Sequence, residues 1–350
     1  MFKNTLKRLG AIVMVLALAM SVMAVSAFAT EGEPEAITSL SFTKEVTTDG
    51  KTYAPATKFE FQVSPATVST GETYQNMPVS AGIEGGVTVT DPDSFTPGEN
   101  ATVSNKYTAN GSLNFDAAKF SAPGIYKYTV QEKTGSYDGV TYDTTARTLY
   151  VYVRNSSTDG YEVYGAVLVK TVTNAEGETT STKNDPFVND YGATNGKIHT
   201  LTITKELAGN QAYSGDTFTF TVKIDGATGE KYLVNLPDNK TVTLISGTEQ
   251  TISLKGGETA TVNGLSEGDK FSVSEVANDK GYTASYKLND ATVETINQVA
   301  TGAKDNTVVV TNTKEVSVST GVIMNIAPYA LMLVLAGGIA VFFLRRRNAE

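Results

Sequence analysis

Between residues 36 and 315, apolar and polar side chains alternate in short runs. Phe59-Glu60-Phe61-Gln62-Val63, Tyr126-Lys127-Tyr128-Thr129-Val130, Leu149 to Val153, Phe218 to Val222 and Phe271-Ser272-Val273 all repeat with a period of two. That period places alternate side chains on opposite faces of a strand. Gly, Asn and Asp punctuate the runs, and Thr, Val and Tyr enrich them, which is strand-and-turn composition. No segment of this region holds a helical period over several turns; Ala117-Ala118-Lys119 predicts a single turn. The pattern predicts an all-β fold built as a sandwich.

The two ends of the chain read differently. Lys3, Lys7 and Arg8 precede an apolar run from Ala11 to Ala24, and Ala27-Phe28-Ala29 supplies small residues at alternate positions. This predicts a cleaved signal peptide over residues 1–29, the bland alternative being an N-terminal membrane anchor. At the other end Ser317-Val318-Ser319-Thr320-Gly321 leads into an apolar stretch from Val322 to Leu344, which Arg345-Arg346-Arg347 closes. A basic cluster beside an apolar span stays cytoplasmic, so residues 317–350 read as a tail held with its N-terminal side outside. Thr320-Gly321 just ahead of the span resembles a sortase sorting signal, in which a transpeptidase cuts between Thr and Gly. Ser317-Val318 stand where the familiar signal has Leu-Pro, and a permanent transmembrane tail is the alternative.

The part between these ends repeats itself. Ser41-Phe42-Thr43-Lys44-Glu45-Val46 returns as Thr202-Ile203-Thr204-Lys205-Glu206-Leu207. Tyr128-Thr129-Val130-Gln131-Glu132 returns as Phe271-Ser272-Val273-Ser274-Glu275, and Phe187-Val188-Asn189 as Val310-Thr311-Asn312. The order Lys, Glu, Asn is kept, and Tyr191 to Gly196 reads as a linker. Two tandem domains follow, over 31–192 and 197–315.

Composition narrows the chemistry. Removing the +3 of the N-terminal stretch and the +2 of the tail takes the formal charge from −9 to −14, so nothing here marks a nucleic-acid binder. The chain has no cysteine, hence no disulfide and no thiolate chemistry. His199 is the only histidine and has no metal-ligand pattern around it. No phosphate loop or EF-hand spacing is present, and no cofactor or metal is expected.

The sharpest signal is parity. Lys44 is in phase with Leu40, Phe42 and Val46, and Lys205 with Leu201, Ile203 and Leu207. Glu132 follows Tyr126, Tyr128 and Val130; Glu275 follows Phe271 and Val273. Asn189 shares phase with Phe187 and Tyr191, and Asn312 with Val308 and Val310. Each domain therefore points one Lys, one Glu and one Asn at its own core. An unpaired buried charge costs several kcal/mol, which argues for a purpose. Desolvation lowers a lysine pKa and raises a glutamate pKa, by up to about 3–5 units at full burial. A neutral amine can attack an Asn side-chain carbonyl while the neutral acid hydrogen-bonds the carbonyl oxygen; ammonia leaves and an amide remains. The bland alternative is a Lys–Glu ion pair with Asn as a turn residue. Asn184 competes with Asn189, and Asn306 with Asn312.

This pattern resembles the isopeptide-linked domains of streptococcal-type backbone pilins, Ig-like sandwiches related to collagen-adhesin B repeats. The resemblance covers nearly all of 36–315. It implies that Lys44 is joined to Asn189 with the help of Glu132, and Lys205 to Asn312 with the help of Glu275. It further implies a sortase that joins Thr320 of one subunit to a lysine of the next, with Lys183 the candidate and Lys170 and Lys197 the alternatives. The expected function is the shaft subunit of a covalent pilus, outside the cell and fixed to the wall. Identical subunits, a sortase and peptidoglycan are the expected partners, with minor pilins and host surfaces beyond them. A monomeric wall-anchored adhesin for host matrix or glycan is the second reading, and an anchored enzyme the third.

Overall fold

The computed structural model describes residues 34–316, 329–336 and 339. The signal-peptide residues and Thr320-Gly321 lie outside the described residues. Residues 329–336 are helical, and among the described residues no helix is long and apolar enough to cross a membrane. The chain divides into two compact units, one ending at Gly196 and the other starting at Lys197.

The first unit contains β1 (Ser39–Thr47), β2 (Phe61–Pro65), β3 (Thr73–Tyr74), β4 (Met77–Ala81), β5 (Val87–Thr90) and β6 (Lys106–Phe115). It continues with β7 (Gly124–Glu132), β8 (Arg147–Asn155), β9 (Tyr161–Thr173), β10 (Thr179–Lys183) and β11 (Phe187–Asp190). One sheet has the order β11-β1-β6-β5; the other runs β10-β9-β8-β7-β4-β3, with β2 also paired to β7. Ala117–Lys119 forms a 3-10 turn capped by the Asp116 carboxylate. The inward residues of β1, β7 and β8 alternate with half-buried ones, as the period of two requires. Phe42, Phe61 and Phe187 meet edge to face, with ring centroids 4.8–5.7 Å apart. Gly111 lies opposite Phe42 on β6, and a Cβ there would come within 2.4 Å of the Phe42 ring. The missing side chain leaves the space that the Phe42 ring occupies.

The second unit contains β12 (Ile198–Ala208), β13 (Thr217–Asp225), β14 (Lys231–Asn235), β15 (Thr241–Ile245), β16 (Glu249–Lys255) and β17 (Thr259–Ser266). After these come β18 (Lys270–Glu275), β19 (Thr283–Leu288), β20 (Ala291–Val293), β21 (Ile296–Ala300) and β22 (Asn306–Thr313). Its sheets are β15-β14-β17-β12-β22-β19-β20 and β16-β13-β18-β21. Leu201, Ile203, Phe218, Phe220, Phe271, Val308 and Val310 fill the space between them. In both units the first strand and the last strand are parallel neighbours. This pairing closes each unit and puts its two chain ends on adjacent strands.

A polar group is buried beside the core of the second unit. The Tyr232 hydroxyl lies 2.8 Å from Glu230 Oε2 and 3.1 Å from Asp269 Oδ2, and its single proton can serve only one of them. Ser266 donates to Asp269 from both its backbone and its hydroxyl. Burial, with the Glu230 charge beside it, pushes Asp269 up to about 7. The unfolded value is about 4. Between these two values the folded chain holds the extra proton, so stability falls as pH rises through that window. The pH slope of the second unit's melting temperature is expected to flatten in Asp269→Asn, and calorimetry from pH 4 to pH 8 reads it; an unchanged slope contradicts the buried proton.

Candidate functional site: two buried Lys-Glu-Asn clusters

In the first unit, β1 carries Lys44 inward between Phe42 and Val46. The parallel register sets Lys44 opposite Phe187 and Val46 opposite Asn189, so the lysine and the asparagine share a face two positions apart. Glu132 reaches them from the end of β7, a strand of the other sheet. Lys44 Nζ donates to the carbonyls of Glu45 and Phe187 at 3.1 Å each, and stands 3.2 Å from Glu132 Oε2. The Phe59 ring covers it at 4.9 Å. Asn189 Nδ2 donates to Glu132 Oε1 at 2.6 Å, while Asn189 Oδ1 accepts the Asp143 backbone N–H at 2.7 Å. Lys44 and Asn189 are fully buried and Glu132 nearly so. Burial lowers the Lys44 amine to about 8, against the opposing pull of Glu132. Burial likewise raises Glu132 above the usual carboxylate range, against Lys44 and Asn189.

The second unit repeats this in register. Lys205 lies opposite Val310 and Leu207 opposite Asn312, again an offset of two. Lys205 Nζ donates to the carbonyls of Glu206 and Val310 at 3.0 Å, lies 3.6 Å from Glu275 Oε2, and sits under the Phe218 ring at 4.5 Å. Asn312 Nδ2 donates to Glu275 Oε1 at 2.6 Å, and Asn278 donates to the same oxygen at 3.2 Å. Burial lowers Lys205 to about 8, against the pull of Glu275. A shallow pocket lined by Glu275, Asn278, Tyr282, Tyr286 and Asn312 opens beside this cluster. The Glu275 side chain keeps 4% of its surface exposed, whereas that of Glu132 keeps none.

All six residues singled out by parity thus meet in two clusters of three. The competing asparagines lie elsewhere. Asn184 is exposed in a turn at φ 55°. Asn306 is buried but donates to the carbonyls of Thr301 and Lys304 and accepts from Asn289. His199 is buried at the start of β12 and makes none of these contacts. Among the described residues no group of His, Cys, Asp or Glu has a metal-holding arrangement. One detail differs from the expected geometry. Each glutamate faces the amide nitrogen of its asparagine, and in the first unit the carbonyl oxygen is served by the Asp143 N–H instead. That places the carboxyl group where it can hand a proton to a departing nitrogen.

Lys183 ends the exposed strand β10. Lys170 is half-buried and 3.7 Å from Asp185, and Lys197 is exposed at the start of the second unit. Sequence reasoning missed Asp143 and Arg147, a buried pair 2.7 Å apart next to Asn189. Arg147 shares its phase with Leu149, Val151 and Val153, so the parity argument could have found it.

In Asn189→Ala no amide can form, and Lys44 is expected to titrate near about 8 rather than at 10.5. Between those values the unfolded chain binds the extra proton, so the stability of this variant rises with pH across that window. Nitrogen-detected NMR of the amine checks it; a midpoint in the ordinary lysine range contradicts its desolvation.

Comparison with known proteins adds family evidence. Residues 40–192 match the family model FctA, described as the Spy0128-like isopeptide containing domain. Residues 199–314 match a domain of unknown function, DUF7601. A pilin of Streptococcus pyogenes serotype M1 is 27% identical over 315 residues, covering 84% of this chain and 86% of the relative. Among solved structures, the major pilin T3.2 of S. pyogenes superposes with a TM-score of 0.53 at 24% identity, covering 78% of this chain and 97% of that one. A second S. pyogenes major pilin gives 0.54 at 22% identity, covering 80% and 99%. The chain is therefore similar to the streptococcal backbone pilins, through an isopeptide-type domain match over residues 40–192 and through a shared fold over about four-fifths of its length.

Proposed function

We propose that the chain is the structural shaft subunit of a covalent pilus, and that each of its units ties its first strand to its last by a Lys–Asn side-chain amide. The observation that carries this is the repetition: the same three residue types, at the same register offset, on the same parallel first-and-last strand pair in both units. In the first unit the bond joins Lys44 to Asn189 with Glu132 moving protons; in the second it joins Lys205 to Asn312 with Glu275 in that role. In the first unit a proton passes from Lys44 to Glu132, leaving a neutral amine and a neutral acid, the pair of states that burial favours there. The amine attacks Asn Cγ, and a new C–N bond forms. The glutamic acid gives its proton to the amide nitrogen facing it, the Cγ–Nδ2 bond breaks and ammonia leaves, and the carboxylate takes one proton from the attacking nitrogen, which is left as a neutral amide N–H. Holding the groups in place supplies proximity worth about 7–11 kcal/mol of barrier. The step occurs once per site, with no turnover, so the chain is a structural protein rather than an enzyme.

Tension gives the bonds their purpose. Pulling on β1 and β11, which are parallel neighbours, shears the ladder between them, and so does pulling on β12 and β22. With the amide in place the load passes from Lys44 directly to Asn189 and bypasses the chain between them. Polymerisation needs an acceptor amine. Lys183 suits it, since it ends the fully exposed strand β10, where Lys170 is half-buried and paired. A sortase cutting between Thr320 and Gly321 would join the Thr320 carboxyl to this amine, and at the base of the fibre to peptidoglycan. The chain then lives outside the cell, with minor pilins and host surfaces as further contacts. Immunoblots of wall extracts are expected to show an SDS-resistant ladder for the wild type. Lys183→Ala collapses it to monomer, while Lys170→Ala and Lys197→Ala leave it intact. A single wall-bound band for the wild type contradicts the shaft role.

A further inference from the structure

The two clusters differ at the carbonyl oxygen of the asparagine. Asn189 Oδ1 accepts the Asp143 N–H at 2.7 Å, whereas Asn312 Oδ1 is buried with no donor among the described residues. Nucleophilic attack puts negative charge on this oxygen, so an N–H already aimed at it favours the transition state.

The Asp143 N–H is held from several sides. The Asp143 carboxylate accepts the Thr145 N–H at 2.9 Å, which fixes the turn. Its other oxygen accepts the Val188 N–H at 3.3 Å and the Arg147 guanidinium at 2.7 Å. Val188 precedes Asn189, so the loop grips β11 at two adjacent residues. Arg147 donates as well to the carbonyls of Pro186 and Thr145. Its guanidinium lies 4.3 Å from the Phe187 ring centroid, and only 1% of the residue is exposed. A planar fork can hold these partners at fixed angles; a lysine ammonium cannot.

We infer that Arg147 is a positioning residue for the N-terminal ligation, setting the Asp143 N–H as the donor that polarises the Asn189 carbonyl, and that the C-terminal site works without such a device. This rests on the ligation reading above. Arg147 touches neither Lys44 Nζ nor the Asn189 amide and acts through the loop. The charged groups about Lys44 are Glu132, Asp143 and Arg147, so Arg147→Lys keeps the local charge while removing the fork.

The test follows both ligations in the full-length mature chain, recovered unfolded from inclusion bodies and diluted into native buffer. Peptide mass spectrometry at successive times resolves the two bonds, and the C-terminal bond serves as an internal clock. Arg147→Lys is expected to slow the N-terminal bond by about ten- to a hundredfold, less than or near the loss of one oxyanion donor. The C-terminal rate and the circular dichroism of refolding stay unchanged. The pH midpoint of the N-terminal rate stays near about 8, and only the plateau falls. A wild-type N-terminal rate in the variant overturns the inference. So does a midpoint displaced toward the ordinary lysine range, which would mean that Arg147 only keeps water from the amine. Should Arg147→Lys fail to refold, Asp143→Asn, which keeps the backbone N–H and loses the charged grip, is read by the same criteria. A wild-type chain that loses no ammonia would instead defeat the ligation reading itself.

Discussion

An amine and a carboxyl group set between two β-sheets constrain everything else in each unit. Neither is tolerable there alone, because an uncompensated buried charge costs several kcal/mol. Lys44 meets Glu132 at 3.2 Å, and Glu132 meets Asn189 at 2.6 Å, so the three are satisfied only as a set. The set exists only if the last strand lies parallel and adjacent to the first with an offset of two, and if the opposing sheet delivers a glutamate at that height. A register slip of one residue would turn the asparagine to the other face. The polar cluster thus specifies the pairing that closes the unit.

The second unit satisfies the same constraint in a different frame. In the first unit the strand pair belongs to the four-stranded sheet, and in the second to the seven-stranded one. The glutamate moves with the sheets, on β7 in one case and β18 in the other, always across from the lysine. What stays constant is the local geometry: the lysine donating to two backbone carbonyls, an aromatic ring over it, and the asparagine amide on the glutamate. A chain without cysteine has only ordinary side chains from which to make a cross-link. This geometry holds the groups for one.

Much of this was legible in the sequence because strands convert spacing into direction. Lys44, Glu132 and Asn189 stand in apolar phase, and so do their counterparts in the second unit. The rule does not reach beyond strands. Asp143 lies in the loop between β7 and β8, and its N–H finds Asn189 only once β11 has docked. Arg147 was within reach of the same rule but was not read that way. Parity also says nothing about which end of the Asn amide faces the glutamate, since that depends on what competes for the carbonyl oxygen. Asn184 and Asn306 were real competitors by sequence; a turn conformation removes one, and a separate hydrogen-bond network removes the other. The Glu230–Tyr232–Asp269 group was invisible because its carboxylates lie just outside strands.

The central claim is that the folded chain makes two amides from its own side chains. Intact mass of the purified ectodomain, residues 30–320, tests it most directly. The account predicts a mass short of the sequence by two ammonias, with one restored in Glu132→Ala, one in Glu275→Ala and both in the double variant. A mass equal to the sequence would contradict it and leave the six residues as two buried ion pairs with their asparagines.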